Sequence, residues 1–108
     1  MTEARVVLVT APDREEAERI CRALLDERLV ACGNIVAGVT SLYRWEGELK
    51  EDPEVLIVLK THQRRLAALM KRIPELHPYE VPEVLALSVE AGGPAYLEWI
   101  SNETHSAL

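Results

Sequence analysis

The 108-residue chain reads as a single α+β domain built on one four-stranded sheet, and three features carry that reading. Segments of strand and helix character follow one another as βαββαβ, with a short helix after the last strand. Residues 29–61 form a long two-limbed ribbon in the middle of that order. Val6–Val9, Val55–Leu59 and Val84–Leu87 are apolar at successive positions, the mark of strands buried on both faces. Two right-handed β-α-β halves joined by a hairpin make a split-βαβ, ferredoxin-like arrangement, here with a protruding hairpin.

Each element has its own local cause. Arg5–Thr10 (RVVLVT) is an apolar run bounded by polar residues, read as a strand. Pro12-Asp13 ends it, and Asp13 with Glu16 three residues on resembles a capping box. The helix that follows runs to about Arg28. Its Ala17, Ile20, Cys21 and Leu24 recur at helical spacing as one apolar stripe, with Glu15/Arg19 and Glu18/Arg22 as ion pairs on the wet side.

Leu29–Trp45 has no proline, a single charge at Arg44 and many β-branched residues, so it is expected as one uninterrupted strand. Glu46-Gly47 supplies a turn, and the return limb passes Leu49 and a kink at Pro53 before Val55–Lys60. At roughly 3.3 Å per residue the outgoing limb would span about 55 Å. A compact chain of this length has a diameter of only about 35 Å, so the tip must overhang. A projecting ribbon bearing Leu42, Tyr43, Trp45 and Leu49 requires cover from another chain, and an oligomer is expected.

The second helix is expected from about His62, with Leu66, Leu69, Met70 and Ile73 as its buried stripe. Pro74 should end it and leave Glu75-Leu76-His77 as a loose last turn. Pro78 and Pro82 keep HPYEVP out of helix and sheet, and Val84–Val89 is the fourth strand. Gly92-Gly93-Pro94 then places proline at the first position of a short helix carrying Tyr96, Trp99 and Ile100, with a fraying tail from Asn102. Two helices cover one face of such a sheet. The other face falls to the third helix or, predominantly, to neighbouring subunits.

Composition narrows the function classes. A net charge of −6 argues against nucleic acid, whose phosphates need a clustered basic surface. Arg64, Arg65, Lys71 and Arg72 do cluster, and they read as the solvated face of one helix. No stretch is long and apolar enough to span or insert into a bilayer, and no signal-type apolar region follows Met1, so a cytoplasmic protein is expected. Its two cysteines should be reduced thiols. Arginine over lysine, and few Asn and Gln, hint at heat adaptation and a thermostable fold.

Few residues offer chemistry. Cys21 lies on the apolar stripe of the first helix and reads as a packed thiol. Cys32 alternates with the small residues Ala31 and Gly33, which would let a helix approach the sheet and leave Cys32 on the open side. Packing, metal and redox roles are all open to it. His77-Pro78-Tyr79-Glu80 groups an imidazole, a phenol and a carboxylate in a proline-held loop suited to a ligand, a soft divalent cation or a subunit contact. His62 and His105 sit at a helix start and in the tail. No CxxC, HExxH, phosphate-cradling glycine loop or GxSxG occurs. A Cys32–His77 nucleophilic pair lacks an orienting third residue and an oxyanion site, so no enzyme is expected.

Four stretches together resemble the CutA family, named for divalent-cation tolerance: LVACGNI (29–35), SLYRWEGELKEDPE (41–54), LKT (59–61) and LHPYEVPE (76–83). The resemblance implies a ferredoxin-like subunit in a tight homotrimer with exchanged hairpins, a likeness to PII-type signalling proteins and a link to copper tolerance. The family's motif positions fall here on Cys32, Asn34, Tyr43, Trp45, Glu48, Lys60, His77, Pro78, Tyr79 and Glu80. With the residues, it leads to a cytoplasmic trimer that binds divalent metal, copper foremost, and needs no organic cofactor. Cys32 and His77 are the candidate ligands and Glu80 an oxygen ligand, at a site shared between subunits because one chain offers too few. The alternative is a PII-like signalling or scaffold protein with a small anion in the intersubunit cleft. Lys60 would then be the cation, and Trp45 and Tyr79 the walls.

Overall fold

The computed structural model describes residues 1–105. In chain order it holds β1 (Ala4–Ala11), α1 (Arg14–Asp26), β2 (Cys32–Trp45) and β3 (Glu48–His62). A 3₁₀ turn (Gln63–Arg65), α2 (Leu66–Leu76), β4 (Val84–Ser88) and α3 (Pro94–Glu103) follow. The strands form one antiparallel sheet in the order β2-β3-β1-β4, the split-βαβ arrangement that the element order demands. Of the expected frayed tail, Asn102 and Glu103 are helical, Thr104 is buried at the helix end, His105 follows it, and residues 106–108 lie outside the described residues.

The Asp13 carboxylate accepts the Glu16 N–H at 2.8 Å, so α1 starts where the capping pattern places it. It ends two residues before Arg28. Arg28 adopts φ 55°, while the Leu29 and Arg28 amides donate to Leu24 and Leu25 carbonyls, a Schellman closure that turns the chain toward the sheet. The ion pairs on the wet side are Arg14–Glu18 (3.0 Å) and Arg19–Glu16 (2.6 Å), not the two expected: Arg14 reaches one turn forward to Glu18, and Arg19 reaches back to Glu16.

The ribbon differs from expectation in two ways. Its outgoing strand begins at Cys32, since Leu29, Val30 and Ala31 are buried as the lead-in from α1. A register shift between Val36 and Val39, with Gly38 at φ 81°, then breaks the strand with a bulge. Glu46 (φ 51°) and Gly47 (φ 80°) make the tight turn, both in the left-handed region that two-residue hairpins require. β3 runs as one strand through Pro53, which pairs with Thr40 where β3 has lost β1 as a neighbour and proline is tolerated. The longest dimension is 44 Å against 28 and 22 Å, and Leu42 and Leu49 at the tip are 63% and 70% exposed.

Pro74 does not end α2. It sits inside the last turns, and the His77 amide still reaches the Ile73 carbonyl at 2.9 Å, so the helix loses one bond and continues to Leu76. The basic cluster is only partly the solvated face expected: Lys71 is exposed, while the three arginines have partners on other elements. Arg65 donates to the Glu27 and Arg28 carbonyls at the end of α1, Arg72 pairs with Glu27 at 2.9 Å, and Arg64 reaches α3. These arginines clamp helices together.

Alternation along the strands sorts the two sheet faces. Val7, Val9, Ile57 and Leu59 point toward α1 and α2 and are buried against Ile20, Leu24, Leu69 and Ile73. α1 comes so close at Gly33 that a Cβ there would stand 2.8 Å from Cys21 Sγ and 3.2 Å from Leu59 Cδ2. On the opposite face α3 covers one end only, where Ile100 packs on Ala4 and Ala31. Past that end Val6, Leu8, Leu56 and Val58 remain half-buried, and Leu85 and Leu87 are exposed. Within one chain the expected burial of both faces is therefore incomplete.

Gly33→Ala should cost about 1–3 kcal/mol through overpacking, read from urea unfolding. Adding Cys21→Ala should recover part of that loss, because the sulfur is the nearest clashing atom. Strictly additive losses would show that the two residues do not meet.

Candidate functional site

Cross-strand pairing lays the open face out in rows. Cys32, Lys60, Val6 and Leu87 form one row, and Asn34, Val58, Leu8 and Leu85 the next. Val36, Leu56 and Thr10 form the third. The small Gly33 turned against α1 is what puts its neighbour Cys32 on this side. Cys32 Sγ stands 3.8 Å from Asn34 Oδ1, and the Lys60 ammonium donates to that same oxygen. Lys60 has no carboxylate partner among the described residues. Tyr96 of α3 completes the corner: burial first, and the neighbouring Cys32 second, hold its phenol above the ordinary value. Its ring stacks on Trp99 with centroids 5.5 Å apart. Cys21, on the covered face, is different. Burial pushes its thiol up to about 11, which leaves it an inert packed group.

The HPYE loop lies further along the sheet. His77 is 7% exposed; its Nδ1 accepts the Tyr79 N–H at 3.1 Å, and its Nε2 donates to the Thr10 carbonyl at 2.7 Å. Both ring nitrogens are thus in use, in the neutral tautomer with the proton on Nε2. Tyr79 packs 4.8 Å from that imidazole and donates its hydroxyl to Glu54 at 2.7 Å, fastening the loop to the base of the hairpin. Tyr43 does the same to Asp52 one step along the ribbon. Burial, then the Glu54 hydrogen bond and charge, hold the Tyr79 phenol well above its ordinary range. Glu80 is exposed and makes no side-chain hydrogen bond among the described residues.

One chain does not bring the expected ligands together. Cys32 sits opposite Lys60 and Thr10 opposite Leu56, four residues along β3 or roughly 13 Å. Among the described residues no three His, Cys, Asp or Glu side chains form a group able to hold a metal ion. The alternative trio is separated as well. Trp45 pairs with Glu48 at the tip, Tyr79 joins Glu54, and Lys60 lies roughly 40 Å along β3 from Trp45. Sequence reasoning missed Thr10, Glu54 and Tyr96 as partners of these groups. Glu54 stood inside a motif, whereas nothing in the sequence marks Tyr96 or a backbone carbonyl at Thr10.

The fold and this layout define a ferredoxin-like α+β protein with a projecting hairpin and one partly covered sheet face. Residues 5–103 match the family model described as CutA1 divalent ion tolerance protein. The divalent-cation tolerance protein CutA of Thermus thermophilus is 48% identical over 99 residues, covering 92% of this chain and 96% of its own. Its solved structure superposes with a TM-score of 0.91 at 47% identity, over 94% of this chain and 99% of that one. The mouse protein CutA is 45% identical over 98 residues, 91% of this chain but 55% of its own length, so this chain spans about half of that relative. A structure from Archaeoglobus fulgidus, described as a periplasmic divalent cation tolerance protein CutA, gives a TM-score of 0.91 at 32% identity, over 94% and 99% of the two chains. The chain belongs to the CutA1 divalent ion tolerance family.

The loop's attachment has a measurable alkaline signature. A Tyr79 phenol raised in the folded protein contributes stability that is whole below about 10 and is lost as pH rises beyond it. Tyr79→Phe should cost about 1 kcal/mol at neutral pH and flatten the fall of the unfolding midpoint above pH ~10. An unchanged alkaline slope would detach Tyr79 from Glu54.

Proposed function

We propose that the protein is a homotrimer that binds divalent metal, copper foremost, at sites completed between subunits, and thereby contributes to divalent cation tolerance. One observation carries this reading: Cys32, half-buried, faces the apolar sheet surface that its own chain leaves open. A thiolate is a ligand for copper and zinc, and here its further ligands must come from another chain. Family membership supplies the link to divalent ions. In a trimer, the HPYE loop of one subunit brings His77 and Glu80 toward the Cys32 of the next. Glu80 is free to ligate, while His77 joins only by releasing the Tyr79 amide or the Thr10 carbonyl.

The protein acts in this reading by binding and not by catalysis, since Cys32 and His77 of one chain stand too far apart for nucleophile and base. Its two free thiols suit the cytoplasm, and cell fractionation decides between that and the periplasmic setting given for the Archaeoglobus relative. The interhelix arginine clamps support a heat-adapted fold. A second reading rests on Lys60. A half-buried lysine on an apolar face, bonded among the described residues only to a neutral carboxamide, suits a small anion held between subunits, as in a PII-like signalling protein.

Isothermal titration of the purified protein with copper, zinc and a panel of small anionic metabolites separates the two. Cys32→Ser should weaken copper binding at least roughly tenfold, or about 1.4 kcal/mol, and Cys21→Ser should leave the affinity alone. Equal copper affinity in wild type and Cys32→Ser returns Cys32 to packing. Binding of an anion that Lys60→Met abolishes favours the second reading.

A further inference from the structure

Three segments remote in sequence meet at His62: the lead into β1, the turn that opens α2, and α3. His62 Nδ1 accepts the Arg64 N–H at 3.1 Å and so caps the turn. Its Nε2 lies 3.0 Å from a Glu3 carboxylate oxygen, which makes Nε2 the protonated nitrogen of a neutral ring. The Glu3 carbonyl also accepts the Gln63 N–H at 2.8 Å, and Arg5 reaches the Gln63 side chain. Arg64 turns the other way, donating to the Ser101 carbonyl and, at 3.3 Å each, to the Ser101 and Thr104 hydroxyls. Between these groups lies a cavity of about 310 Å³ walled by Glu3, Ala4, His62, Leu97, Glu98 and Ser101. α3 is thus seated over a gap at this end, and Arg64 reaches across to hold it.

We infer that neutral His62 is an acid-sensitive latch for α3. A proton on Nδ1 removes the acceptor of the Arg64 N–H and sets an imidazolium beside the guanidinium. The end of α3 that Arg64 holds is then released. Every charged or titratable group facing the ring must be weighed. Arg64 on its own turn and His105 beyond α3 oppose the proton, while Glu3 before β1 favours it. Glu98 lines the far side of the cavity, and Arg5 is turned to Gln63. The Glu3 side chain is 73% exposed, so its attraction is screened by water. Burial first and Arg64 second keep His62 below its ordinary value. A released ring therefore takes up the proton at higher pH than a docked one. The latch is closed above about pH 6.5 and weakens as pH falls below it. Because α3 covers the Ala4–Ala31 end of the open face, its release uncovers apolar surface beside Cys32.

Native-state hydrogen exchange of the α3 amides, corrected for intrinsic rates and referred to α1, tests this at pH 7.5 and 5.5. In wild type, α3 protection should fall about fivefold or more at the lower pH, the scale of a lost cap. His62→Asn keeps a capping oxygen without a titrating ring and should show no such fall. His62→Ala and Arg64→Ala should lower α3 protection at both pH values and remove its pH dependence. Protection in wild type that ignores pH, or an equal fall in His62→Asn, overturns the latch. A pH dependence that survives in Arg64→Ala overturns it too.

Discussion

A sheet has two faces, and α1 and α2 cover only one of them here. That constraint governs the rest of the molecule. On the other face Val6, Leu8, Leu56, Val58, Leu85 and Leu87 form an apolar field across three strands, and α3 shields only its Ala4 end. Fully burying side chains of this size is worth about 1.5–3 kcal/mol each, so the field represents on the order of 10 kcal/mol of unrealised burial. Association costs are of comparable size, which is why a surface like this commits a chain to stable partners or to none. The exposed tip residues Leu42 and Leu49 add to the same demand.

The close approach of α1 at Gly33 links this architecture to chemistry. Because a Cβ would collide with Cys21 there, the backbone must present Gly33 inward, and strand alternation then sends Cys32 and Asn34 to the open face. The same alternation on β3 sends Lys60 outward beside them. The polar groups among these apolar rows are therefore placed by helix packing on the opposite side of the sheet. The HPYE loop is organised on another principle. Its imidazole is saturated by Tyr79 and Thr10, and its phenol is anchored to Glu54, so loop and hairpin base form one hydrogen-bonded unit.

Much of this was legible in the residues because the causes are local. The Asp13 cap, the Glu46-Gly47 turn, Pro94 at the start of α3 and Gly33 beside Cys32 each act within a few positions and appear where expected, whereas Ala31 packs with Ile100 under α3. The misses came from forces that act across the fold. Pro74 stays inside α2 because the helix is held by packing of Leu69 and Ile73, which outweighs one missing hydrogen bond. The arginines of the 3₁₀ turn and α2 resembled a wetted face because their partners, the end of α1 and the end of α3, are distant in sequence. The bulge near Gly38 interrupts the pairing of a ribbon whose β-branched composition gave no warning. The candidate site was legible as residues but not as a constellation, since one chain separates Cys32 from His77 along the sheet.

The claim that other copies of the chain close the open face is tested most directly by sedimentation equilibrium of the purified protein from nanomolar to micromolar concentration. One species of three-chain mass is predicted, with an unfolding midpoint that rises with protein concentration because association and folding are linked. A folded, soluble monomer across that range, with a concentration-independent midpoint, would contradict it.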